Sequence, residues 1–363
     1  MKKKLLLLSL LYAVFLLFNS CSKDETSIPE PPVETQQAGV YILNSGIMGS
    51  NGATLDYYDV ETKTLHADIF SVNGRKLGDT GQSLLIYGSK IYITVSGSST
   101  IEITDFSGKS LKRLDVKDSN GAPREPRYMA CDKNKVYVTL FDGYVARMDT
   151  ATMEFDGYVK VGDNPEQIVL ANNKLYVANS GGMNYPNYGT TVSVINLAGF
   201  TVTKTLDTGA NPQYLATNNQ GNTVYLIATG DYSPGSNILQ RIDTQTDVVT
   251  TIEGLNASWM SMGADDKLYI ISTEYDEQWQ MTATYYVYDA ANETLIGDFI
   301  TDGSAIPNPY HISADKVSGD IYIGSSGGAN TGDMYIYSAE GKFLHTFGLS
   351  GSFPEGVYFQ VTN

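Results

Sequence analysis

The stretch PRYMACDKNKVYVTLFDGYVARMDTATMEF, Pro126 to Phe155, holds one copy of the pattern that organises the whole chain. It divides into three phrases: a strand opening on proline (Pro126-Arg127-Tyr128), a strand centred on tyrosine (Val136-Tyr137-Val138), and a strand ending in aspartate (Arg147-Met148-Asp149) that turns back into Met153-Glu154-Phe155. The middle phrase recurs around Tyr41, Tyr92, Tyr137, Tyr176, Tyr225, Tyr269 and Tyr322, at spacings of 51, 45, 39, 49, 44 and 53 residues. Aromatic and β-branched residues alternating over so short a run favour strands. A repeat of roughly 40–50 residues, four strands long, is the period of a propeller blade.

The other two phrases fit the same frame. The third strand ends in Asp59, Asp105, Asp149, Asn196, Asp243, Asp289 or Ser338. Asp and Asn side chains accept hydrogen bonds from turn backbone, and Ser does so more weakly, so these residues read as structural. The proline phrase returns at Pro165, Pro212 and Pro309, and finally at Pro354-Glu355-Gly356-Val357-Tyr358-Phe359, after which no tyrosine strand follows. The first repeat, beginning at Gly39, lacks an opening strand. The two defects complement each other. The fold expected is all-β, a seven-bladed β-propeller over residues 39–363, closed by the C-terminal strand so that no sheet edge is left open.

Residues 1–20 read as a lipoprotein signal peptide: Lys2, Lys3 and Lys4, an apolar run from Leu5 to Phe18, then Ser20 directly before Cys21. The run is shorter than the ~20 apolar residues of a spanning helix. Cys21 is the expected lipidation site, and residues 21–38 form an acidic, Pro-rich tether. The formal net charge is −16, which disfavours nucleic acid as a partner. With Cys21 acylated, Cys131 is left without a disulfide partner in the chain and reads as a buried structural thiol.

Together the Pro-x-x-apolar, tyrosine and Asp-turn strands resemble the YVTN/YncE-like propeller proteins from Gly39 to Asn363. Ser22-Lys23-Asp24-Glu25 after Cys21 resembles a surface-export signal of Gram-negative lipoproteins. In combination the architecture looks like the BtuG-type surface lipoproteins. That resemblance implies a protein facing the cell exterior from the outer membrane. It would capture cobalamin (vitamin B12) and related corrinoids as cargo, and deliver them to a BtuB-like TonB-dependent outer-membrane transporter. No cofactor of its own is implied.

In a blade of alternating strands, the proline phrases and the loops after the tyrosine strands emerge on one face, around the central channel. The strand entries there offer Arg127, Tyr128, Tyr214, Trp259, Tyr310 and His311. The loops, longer than those opposite, offer Phe141, Tyr185, Tyr188, Tyr232, Tyr275 and Trp279. Loops held by a rigid scaffold carry function, and aromatics give contact area at low entropic cost. These twelve residues are the expected ligand site. A corrin, flat and edged with amides, suits such a surface; so does a glycan of a saccharide-uptake system, the competing expectation. Catalysis is not expected. Gly324-Ser325-Ser326-Gly327-Gly328 matches a nucleophile elbow but leads into no helical pattern. No Walker loop, dinucleotide fingerprint or EF-hand loop is present, and three histidines without a cysteine pair make no zinc site.

Overall fold

A computed structural model describes residues 36–362 apart from 277 and 279. Twenty-eight strands form seven four-stranded antiparallel sheets. Six of the sheets take four consecutive strands each. The seventh takes its innermost strand from the C-terminus: Pro354–Thr362 pairs with Gln36–Asn44, which continues through Thr54–Asp59 to Thr64–His66. The innermost strands Gly81–Tyr87, Pro126–Asp132, Pro165–Ala171, Pro212–Thr217, Trp259–Met262 and Pro309–Ala314 each contact the next, and Pro354–Thr362 contacts both the last and the first. The seven blades therefore close into a ring. The first strand begins at Gln36, three residues before the repeat does, because the closing strand reaches far enough to pair Thr362 with it.

The repeated tyrosines hold blade to blade. All seven are buried, none more than 4% exposed. The hydroxyl of Tyr41 donates to the Phe106 carbonyl (2.8 Å), that of Tyr176 to Asp247 (2.8 Å) and that of Tyr225 to the Ala290 carbonyl (3.4 Å). Each acceptor lies in the Asp-ended turn of the following blade. Those turns are built as the sequence implies: Asp149 accepts from the backbone of Ala151 (3.0 Å) and Thr152 (3.1 Å), Asp243 from Gln245 (2.9 Å) and Thr246 (2.8 Å). Ser338 does the same for Glu340 at 3.3 Å. A buried phenol needs a partner, and in these three blades the neighbouring turn supplies it; the buried Tyr92 hydroxyl has none among the described residues. The same turns thus register three of the blades against their neighbours.

The closing strand has its own clasp. Asp56, fully buried, accepts from Asn44 Nδ2 (3.0 Å), the Asp68 amide (2.8 Å), and both the amide (2.9 Å) and hydroxyl of Ser350. Four donors satisfy the carboxylate and pin the approach to the last strand onto the first blade.

Candidate functional site

The proline that opens an innermost strand sits where no ladder hydrogen bond is required of it, at the channel mouth. The residue before it turns the chain inward in the left-handed region: Glu125, Asn164, Asn211, Asn308 and Phe353 have φ between 43° and 57°. Its carbonyl accepts the amide of the residue just past the tyrosine strand, as Asn164 does from Ser180 and Asn308 from Ser326. Directly after the proline the pairing register slips, for instance between Pro126 and Met129 and between Pro165 and Ile168. Such a bulge re-aims side chains. In five of the seven blades two consecutive residues, such as Arg127 and Tyr128, therefore line the channel, where regular alternation would present one.

They form two stacked chambers. An outer one of about 440 Å³ opens to solvent and is lined by Gln82, Arg127, Glu166, Gln213 and Tyr310, with Ile47 and Met48 at its lip. An inner one of about 310 Å³ is lined by Gln167, Trp259, His311 and Ser313, with Met129, Val169, Met260 and Val357 among its apolar contacts. Tyr128, Tyr214, Tyr310 and Glu355 border both.

The electrostatics of this wall are largely self-neutralised. Arg127 forms a two-pronged pair with Glu166 (Nε–Oε2 2.8 Å, Nη2–Oε1 3.0 Å) and lies 4.9 Å over the Phe141 ring. Glu355 Oε1 accepts from Gln82 Nε2 (3.1 Å) and, more weakly, from the Tyr128 hydroxyl (3.4 Å). Burial pushes the Glu355 carboxyl up to about 8; the Arg127 charge opposes this and Glu166 adds to it. Burial drives His311 down to about 4, and its Nε2 hydrogen-bonds the Ser313 hydroxyl at 2.8 Å. Near pH 7 the wall thus offers hydroxyls, amides, aromatic rings and an uncharged acid, with its one strong cation already matched. Such a surface binds uncharged, hydrogen-bonding, ring-bearing ligands at little desolvation cost.

Above the mouth stands an aromatic crown. Tyr188 meets Tyr185 and Tyr232 edge to face, both at 6.0 Å between ring centroids. Tyr185 is 75% and Tyr232 63% exposed. Gln213 Nε2 donates to the Tyr232 hydroxyl (2.7 Å), tying crown to channel wall.

Of the twelve residues expected at the site, the structure brings six to the channel: Arg127, Tyr128, Tyr214, Trp259, Tyr310 and His311. Tyr185, Tyr188 and Tyr232 make the crown. Phe141 lies beneath Arg127 and lines neither chamber, while Tyr275 stands 49% exposed at the end of the long hairpin of the sixth blade. Trp279 lies outside the described residues, as does Cys21. Two of Arg127's nitrogens are taken by Glu166, which leaves less of the guanidinium for a ligand. Glu166 and Glu355 are not among the expected site residues. The available signal was alignment of the proline phrases, which sets both at the position held by Arg127, Gln213 and Tyr310. Cys131 is half-buried rather than buried, and burial pushes its thiol up to about 11, away from reactivity. Ser326 lies on a loop between two strands, as its pattern without a helix implied.

Residues 38–343 match the family model described as "Domain of unknown function (DUF5074)". No curated protein matches the sequence. Among solved structures, a functionally unknown protein from Desulfotomaculum acetoxidans DSM 771 is similar at TM-score 0.64 and 11% identity, over 88% of this chain and 98% of that one. Kuenenia stuttgartiensis hydrazine synthase is similar at TM-score 0.58 and 16% identity, over 76% of this chain and 92% of that one. At such identities the likeness is one of fold.

Proposed function

The chain belongs to the DUF5074 family, and from that starting point we propose that it is a non-enzymatic surface receptor. It captures cobalamin or a related corrinoid at the channel mouth and passes it to a BtuB-like TonB-dependent transporter. The observation that carries this reading is the pairing of a neutral, amide- and hydroxyl-lined chamber with an exposed tyrosine crown, both on the face of the long loops. The macrocycle is too large to enter the outer chamber. It lies across the mouth against Tyr185, Tyr188 and Tyr232, with its edge amides directed toward Gln82 and Gln213. The resemblance to BtuG-type lipoproteins supports the same ligand, and Cys21 would anchor the protein at the outer face of the outer membrane. Acyl chains there contribute ~0.8 kcal/mol per buried CH₂.

Protein incubated with cyanocobalamin and desalted should keep the ligand's pink colour. A colourless eluate that instead retains a fluorescent oligosaccharide would transfer the site to the glycan reading, which exposed tyrosines also suit. Asp149→Ala, on the opposite face, should lower the melting temperature by unmaking its turn and leave colour retention unchanged. Cys21→Ala should move the protein from the membrane to the soluble fraction; retention in the outer membrane would refute the anchor.

A further inference from the structure

We propose that the inner chamber is a second binding site, for a small organic ammonium ion, held between the Glu355 carboxylate and the rings of Trp259, Tyr310 and Tyr214. The proposal does not depend on the corrinoid reading, which concerns the mouth and crown above it.

Three observations converge on it. The first is an unmatched carboxyl. Of the two acids in the channel wall, Glu166 has the Arg127 guanidinium on both oxygens. Glu355 makes no ion pair with a described residue, the nearby Arg127 being committed to Glu166, and its hydrogen bonds all fall on Oε1, from Gln82 and Tyr128. Oε2 receives none from a described residue. Ionising this carboxyl without a counter-ion costs free energy, and a cation in the chamber would supply one. The second is the ring set. Trp259 and Tyr310 lie 5.9 Å apart at 43° and share the chamber with Tyr128 and Tyr214. Aromatic faces attract organic cations, Trp most strongly.

The third is where the repeat breaks. Six innermost strands open with a left-handed residue and a register slip. The sixth blade alone has neither: Trp259–Met262 pairs with Leu268–Ile271 without a slip. The local rule of the fold is given up where Trp259 is gained, and such departures mark function more often than scaffolding. A chamber of about 310 Å³ admits a molecule of this size, and the strongly acidic chain draws cations toward it.

Binding would also expel a proton. Free Glu355, held at about 8, is mostly protonated near pH 7 and must ionise to match a cation. The groups facing it are Arg127, paired with Glu166; Tyr128, Tyr214 and Tyr310, all pushed up by burial; and His311, neutral above about 4. The arginine stays charged and the phenols stay protonated between pH 7 and 9, so the change in that window belongs to Glu355.

The test is isothermal titration of the full chain with choline and with 3,3-dimethyl-1-butanol, its uncharged isostere. Choline should bind at least about tenfold more tightly than the isostere, and more tightly at pH 9 than at pH 7. Glu355→Gln should lower choline affinity at least about tenfold, abolish its rise with pH, and leave the melting temperature no lower. Equal affinity for the two probes, no choline binding at millimolar concentration, or full affinity in a folded Glu355→Gln protein would each overturn the proposal. The comparison of probes on the unmodified chain decides even if the variant fails to fold. Loss of choline binding with cyanocobalamin binding intact would reject this site alone.

Discussion

A chain ending at Phe353 should be recovered as insoluble protein. The missing strand, Pro354–Thr362, is the innermost of the first blade and pairs with Gln36–Asn44 along its length. It also packs against the innermost strands on both sides. Its loss uncovers Val40, Tyr41, Ile42 and Leu43, none more than 1% exposed in the closed ring. It removes Val357 and the Phe359 ring, which meets Tyr322 edge to face at 5.3 Å. Each fully buried side chain of this kind contributes roughly 1.5–3 kcal/mol, and the bare edge of Gln36–Asn44 becomes a template for aggregation. The sum is comparable with the ~5–15 kcal/mol that separates folded from unfolded domains. Solubility after expression, and thermal melting of whatever is soluble, are the measurements. A soluble truncated chain melting within a few degrees of the full one would contradict the closure.

The second large effect is in pH. Glu355 is held at about 8 against an ordinary 4.5, so the folded protein keeps a proton that the unfolded chain has already released. Stability from this group is complete below about 4.5 and is lost as pH rises through 8, at about 1.4 kcal/mol per pH unit. His311 acts in the opposite sense. Held at about 4 against 6.5, it is neutral when folded, and its contribution is lost as pH falls from 6.5. Between about 4.5 and 6.5 the two slopes cancel, so the net loss appears from pH 6.5 to 8. The partial exposure of Glu355 at the open chamber reduces it to about 1–2 kcal/mol. Urea midpoints at pH 6.5 and 8.5 should show that loss in the unmodified chain and a level response in Glu355→Gln. The same decline in both would show that Glu355 does not titrate there.

The ring was legible because its evidence is local and repeated. A tyrosine every 39 to 53 residues, and an Asp, Asn or Ser turn after each third strand, need no long-range contact to recognise. The two terminal defects give the closure because they are the two halves of one blade. The channel wall was legible only in part. The bulge after each proline doubles the number of residues facing inward, and nothing in one strand's alternation announces it. Nothing in its own strand marks Glu166, because its partner, Arg127, lies a blade away. The same pairing changes Arg127 from a free donor into a neutralised one. The Phe141 ring lies against Arg127 rather than in either chamber, a contact that depends on the neighbouring strand entry. Trp259 stood out as one of two tryptophans; that it replaces the ordinary strand entry became visible only with all seven registers side by side.

The central claim is that the mouth and crown capture a corrinoid. Isothermal titration of cyanocobalamin tests it most directly, into the full chain and into a variant with Tyr185, Tyr188 and Tyr232 all changed to Ala. Aromatic anchors cost ~2 kcal/mol or more each when truncated, about thirtyfold in affinity. The account predicts saturable one-to-one binding by the unmodified chain, and binding weaker by orders of magnitude in the variant at an unchanged melting temperature. No heat with either cyanocobalamin or cobinamide, or equal affinity in the two proteins, would contradict it.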